Sequence, residues 1–131
     1  MFLKAICKIG EKDIENEFMI HLGYAGDILL DDLFVNSNKV GEIIKITGEN
    51  KLKDSFGNTV TTRKGILPIL QIGKFQLKDI PVGFFEGTIG RQTISIMGGD
   101  VFKRFNWIFD IEGKNVYLKP NKNFKLNYSK I

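Results

Sequence analysis

Two side chains occur once each in the 131 residues and could do chemistry alone: Cys7 and His21. A single cysteine cannot close an internal disulfide, and one cysteine with one histidine cannot furnish a recognisable zinc site, so neither a metal nor any other cofactor is expected. Cys7 is expected to pack as a small apolar residue. His21 ends the apolar run Phe18-Met19-Ile20 and stands before Leu22 and the turn Gly23-Tyr24-Ala25-Gly26. A strand running into such a turn presents a side chain at a cleft, because glycine supplies backbone angles that other residues resist. A histidine there serves either as a titrating group or as a side chain held by a backbone partner at an interface, and the second reading is preferred.

The carboxylates carry structural expectations. Asp27 and Asp100 each sit between a glycine and an apolar segment, the setting of a helix N-cap. Asp31-Asp32 reads as a solvated face, and Asp110 as a hairpin residue before Glu112-Gly113. In Asp54-Ser55-Phe56-Gly57 the inserted Phe56 and the flanking Lys51-Leu52-Lys53 make a poor active-site strand.

The elements that must position these residues are mostly β. Phe2 to Ile9 alternates and ends at Gly10, and a second strand runs from Glu17 to Leu22. Asp27 to Phe34 has a short helical spacing at 29, 30, 33 and 34, with a strand over 27 to 30 as the alternative. Residues from Gly41 to Thr47 read as a strand, as do Val60 to Arg63 and Ile66 to Ile72. Turns at Gly48-Glu49-Asn50, at Phe56-Gly57-Asn58 and at Gly73-Lys74 separate successive strands, the last leading into Phe75 to Ile80. Pro68 marks an edge or bulge. A further short strand is expected over Val82 to Phe85, and Ile94 to Met97 leads through Gly98-Gly99 into a short helix beginning at Asp100. Trp107 to Ile111 and Val116 to Lys119 flank a hairpin turn, which Pro120 ends. The chain reads as a single domain over residues 1–120 with a polar tail over 121–131.

Composition narrows the function classes. At 43% hydrophobic and 26% charged, the chain folds around one core. Lys and Arg exceed Asp and Glu by 19 − 15 = 4, with part of the excess in the tail and no dense basic stripe, so no nucleic-acid partner is expected. No apolar run approaches the about 20 residues of a membrane span, and the stretch before Cys7 is too short for a signal-peptide core. The compartment is left open.

Two stretches echo one another. Ile20 to Ile28 and Ile94 to Val101 both run from an apolar strand through glycine and Gly-Asp to a second apolar segment, the plan of an internal pseudo-twofold. With the segment from Ile94 to Asp110 and its continuation Tyr117-Leu118-Lys119-Pro120, this order resembles one lobe of the retropepsin-like aspartic peptidases. The resemblance implies a mostly β acid-protease fold, a small closed β-barrel with one or two short helices. It would put Met97-Gly98 in the loop crossing behind the active site. The family's Asp-Thr-Gly, commonly followed after one residue by Ser or Ala, matches His21-Leu22-Gly23, then Tyr24 and Ala25; only Gly23 of the triplet is kept. The flap over bound peptide falls between Gly48 and Arg63, with Phe56, Gly57 and Asn58 at its tip.

The departure has chemical consequences. Aspartic peptidases activate water between two carboxylates that share a proton, because two like charges so close cannot both ionise. Imidazole cannot take that part, Leu22 removes a bracing hydroxyl and Ala25 offers none. The expected function is therefore a catalytically degenerate aspartic-peptidase-like domain, one lobe of a two-lobed protein, used for lobe pairing or peptide binding. The implied partner is a second lobe, a homodimer mate, or a peptide or protein. The alternatives are part of an active endopeptidase whose carboxylates come from another lobe or subunit, and a non-enzymatic β-barrel dimerisation module.

Overall fold

A computed structural model describes residues 2–24, 26–53, 55–87, 92–110, 115–125 and 128. The strands are β1 (Phe2–Ile9), β2 (Lys12–His21), β3 (Ile28–Leu29), β4 (Lys45–Lys53), β5 (Thr59–Ile72), β6 (Phe75–Gly87), β7 (Ser95–Gly98), β8 (Phe105–Asp110) and β9 (Asn115–Pro120). Three short helices punctuate them: α1 (Asp32–Ser37), α2 (Val40–Ile43) and α3 (Gly99–Phe102). None of the described helices is long and apolar enough to cross a membrane.

Strands β1-β2-β7-β3-β6-β5 are neighbours in that order, and β1 pairs with β5, so six strands close into a barrel. Closure removes the open edges that would otherwise invite aggregation. The alternation of β1 points Ala5, Cys7 and Ile9 inward, where they meet Phe18, Leu67, Leu70, Ile72, Leu77, Ile80 and Phe84. Cys7 is fully buried, and burial, aided by the charge of Asp31, pushes its thiol up to about 12; it packs as an apolar residue. Strand β4 hangs outside the ring on β5, forming a hairpin with a turn through 55–58.

Several local expectations are corrected. Residues 27–34 divide, with 28–29 a strand and the helix starting only at Asp32. Its cap is Asp31, whose Oδ2 accepts from the Phe34 N–H at 2.9 Å. Asp31 is thus no solvated surface acid; it is buried, and Ser95 Oγ donates to its Oδ1 at 2.6 Å. Residues 40–43 coil into α2 where strand propensity is high, because tertiary contacts outweigh it. The strand read over Val82 to Phe85 is the continuation of β6. Pro68, exposed, interrupts the β5–β6 register between Leu67↔Ile80 and Ile69↔Lys78, and Asp79 across from that gap takes a left-handed φ of 53°. Strands β8 and β9 form the expected hairpin, while its turn at Glu112-Gly113-Lys114 lies outside the described residues.

The tail residues 121–125 form a turn against the barrel. Asn121 N–H donates to the Arg104 carbonyl at 3.1 Å, and Phe124 packs edge-on to Phe105 with centroids 5.4 Å apart.

Candidate functional site

The two echoed stretches meet. Strand β2 runs parallel to β7, with Ile20 beside Met97 and His21 beside Gly98, while β3 returns antiparallel to β7. Between β2 and β3 the chain turns through 22–27, and between β7 and α3 it turns through Gly98-Gly99. The turns are tied together by Gly98 N–H to the Asp27 carbonyl at 2.7 Å and Gly99 N–H to the Tyr24 carbonyl at 3.4 Å.

Space is tight here, and at Gly98 it requires glycine. A Cβ on Gly98 would collide with the Gly26 carbonyl oxygen and lie 2.9 Å from the Tyr24 carbonyl. A Cβ on Gly26 would sit 2.6 Å from the Tyr24 hydroxyl, and one on Gly23 would lie 2.8 Å from the His21 imidazole. The glycines therefore let one backbone cross the other and let the Tyr24 and His21 rings fold over them.

At the apex the chemistry is sparse. His21, Leu22 and Gly23 are exposed, Leu22 at 64%. The His21 carbonyl accepts from Tyr24 N–H at 3.1 Å and closes the turn. Ala25 lies outside the described residues. The turn from His21 to Gly26 contains no carboxylate in its sequence.

The acids lie behind it, in places that sequence reasoning assigned to caps. The N-cap position of α3 belongs to Gly98, and Asp100 sits inside the first turn, 5% exposed. Asp27, 3% exposed, precedes a strand and not a helix. Their carboxyl groups are hydrogen-bonded to each other, an arrangement that requires a proton between them. Burial above all, then the bond to Asp100 and the Asp100 charge, raise the Asp27 carboxyl to about 8 from its ordinary 3.8, against the opposing pull of Arg104 and Lys103. Lys103 Nζ lies 2.6 Å from Asp100 Oδ1, and Arg104 Nη2 lies 3.8 Å from the same oxygen. Burial and the neighbouring acid thus favour the protonated form of Asp27, while Asp100 lies beside the two cations. Nothing in the sequence flagged Arg104, which is fully buried; the one available signal was its spacing of four from Asp100.

A second buried network ties the site to α1. Ser95 Oγ accepts from the Asp31 N–H at 2.8 Å and from Asn16 Nδ2 at 2.9 Å while donating to Asp31. Strands β2 and β7 and the start of α1 are thus pinned by one hydroxyl.

Phe56, Gly57 and Asn58 lie at the tip of the β4–β5 hairpin, away from the buried acids in sequence and in register. Phe56 is 88% exposed and Gly57 takes a φ of 84°. Near the base of the hairpin Arg63 meets Glu49 at 3.5 Å and Glu86 at 3.4 Å. Among the described residues no three His, Cys, Asp or Glu side chains gather as a metal site requires.

The arrangement is similar to a known fold. A crystal structure of a retropepsin-like aspartic protease from Rickettsia conorii superposes with a TM-score of 0.56 at 19% identity, covering 89% of this chain and 79% of that one. The chain therefore has the retropepsin-like fold. No protein-family model matches the chain, and no curated protein matches it.

Proposed function

We propose that this domain is a catalytically degenerate aspartic-protease-like lobe that serves to pair with a second lobe, or with a copy of itself, and to bind peptide. The observation that carries this reading is the position of the carboxylates. The turn beside Gly98 ends in His21-Leu22-Gly23, and the nearest acids, Asp27 and Asp100, are buried and committed to one another and to two cations. A water-activating dyad needs carboxylates that substrate and water can reach. The exposed His21 and Leu22 stand where such a group would act, and an exposed leucine suits an interface better than a reaction.

The hairpin tip at Phe56, Gly57 and Asn58 is the element we assign to covering a bound peptide. A protruding aromatic on a two-stranded arm supplies apolar contact area at low entropic cost.

Incubating the chain with peptide substrates across the acidic range tests the catalytic half of this reading. No turnover is expected, and pepstatin-sensitive cleavage by the purified chain would overturn it. Light scattering over a concentration series tests the pairing half. Self-association is expected, and Leu22→Glu should abolish it. A strictly monomeric chain would remove that half.

A further inference from the structure

The C-terminal tail makes more specific contacts than a polar extension needs. Arg104 is fully buried, and its Nε and Nη1 donors are engaged. Nε donates to the Asp100 carbonyl at 3.0 Å, and Nη1 donates to the carbonyls of Asn123 and Phe124 at 3.3 Å each. One face of the guanidinium is covered by the ring of Tyr128, with Arg104 Cζ 3.8 Å from the ring centroid. A guanidinium face takes an aromatic ring better than any other neutral group, and more so away from water.

The space around that ring is unlike a packed core. The ring borders a cavity of about 490 Å³ whose lining includes Tyr24, Asp27, Ile28, Pro81 and Val82. It also borders one of about 560 Å³ lined by Gln76, Leu77, Lys78, Phe124 and Lys125. Asp79 and Tyr128 line both. A ring that only completed a core would be surrounded by close-packed atoms. This one borders two openings, and burial with the charge of Asp27, Asp100 and Asp79 keeps its hydroxyl neutral, raised to about 12 against the pull of Arg104.

We propose that the face of Arg104, at the border of two cavities, is a receptor for a single aromatic side chain, filled in cis by Tyr128, so that the C-terminal tail is an intramolecular ligand that excludes other aromatic-bearing chains. The proposal stands whether or not the domain pairs with a second lobe. In-plane bonds from Arg104 to residues 123 and 124 hold the root of the tail, so Tyr128 competes at high effective concentration. An incoming peptide must displace the ring and would extend into the cavities that the ring borders.

The probe is a fluorescent peptide with the sequence of residues 125–131, titrated by polarisation against the full chain. Tyr128→Ala is expected to bind it roughly tenfold or more tightly than the unaltered chain does. Tyr128→Phe, which retains a ring over Arg104, is expected to behave as the unaltered chain. A peptide carrying alanine at the tyrosine position is expected to bind neither form. Tyr128→Leu keeps apolar bulk without a π face and gives the same gain even where the alanine variant folds poorly. Equal binding to the unaltered chain and to the variants, or no binding to a Tyr128→Leu chain with native circular dichroism, would overturn the proposal.

Discussion

The two Gly-Asp units, Gly26-Asp27 after β2 and Gly99-Asp100 after β7, have similar sequences and lie against one another, yet they sit in different electrostatic surroundings. Asp27 faces no cation as close as the one beside Asp100; burial and its neighbouring acid hold it protonated up to about pH 8. Asp100 opens the first turn of α3 and has Lys103 at 2.6 Å with Arg104 beside it. Similar local sequences thus meet different surroundings because different elements come next in the chain: a strand after Asp27, a short helix followed by two cations around Asp100. One proton on Asp27 is what lets the two turns close without a buried like-charge repulsion.

The largest expected effect tests that asymmetry. Asp100→Ala leaves buried Arg104 without its carboxylate and should cost about 3–5 kcal/mol in urea unfolding. Asp27→Asn replaces a protonated acid with a neutral amide and should cost less than about 1 kcal/mol. Equal losses would mean that the charge is shared evenly between the two acids.

Next in size is the crossing itself. Gly98→Ala forces a methyl group against the Gly26 carbonyl oxygen, which is backbone and cannot swing aside. A loss of about 1–3 kcal/mol is expected.

The pH dependence is smaller per unit and comes from the raised Asp27 group. The folded chain holds a proton that the unfolded chain releases above 3.8, so this contribution is complete below that value and falls as pH rises toward about 8. Above about 8 it is gone. Thermal melts across this window should slope downward, and Asp27→Asn should flatten the slope; an unchanged slope in the variant would assign the titration elsewhere.

The smallest effect is expected at the exposed apex. Gly23→Ala meets only the His21 imidazole, a movable side chain, and His21→Ala removes an exposed ring. Each should stay within about 0.5 kcal/mol in unfolding experiments. A large loss at either would show that the apex is built for more than contact.

Much of the barrel was legible. Alternation in 2–9, the breaks at Gly10, Gly57 and Gly73 with their left-handed angles, and the 105–120 hairpin all stem from local chemistry. The meeting of the two echoed stretches was implied by the family resemblance, and it takes the form of parallel pairing between the strands that they end. The acids were misread because Gly-Asp before an apolar run looks the same whether the next element is a helix or a strand. What decides is the partner across the barrel, distant in sequence. Likewise Asp31 became the cap once Ser95, on β7, supplied a hydroxyl. Arg104 was invisible for the opposite reason: charged residues default to the surface, and its burial is made tolerable by Asp100, by the carbonyls of 123 and 124 and by the Tyr128 ring.

The ring closes through three residue pairs only, Ile6↔Gln71, Cys7↔Leu70 and Lys8↔Ile69. Cys7 sits at the middle of that seam, buried and with its thiol held in the unreactive form. The chain thereby carries its own sentinel: alkylation of this sulfur reports the parting of β1 from β5. The rate at which it is consumed measures how often the circle breaks, without adding any label.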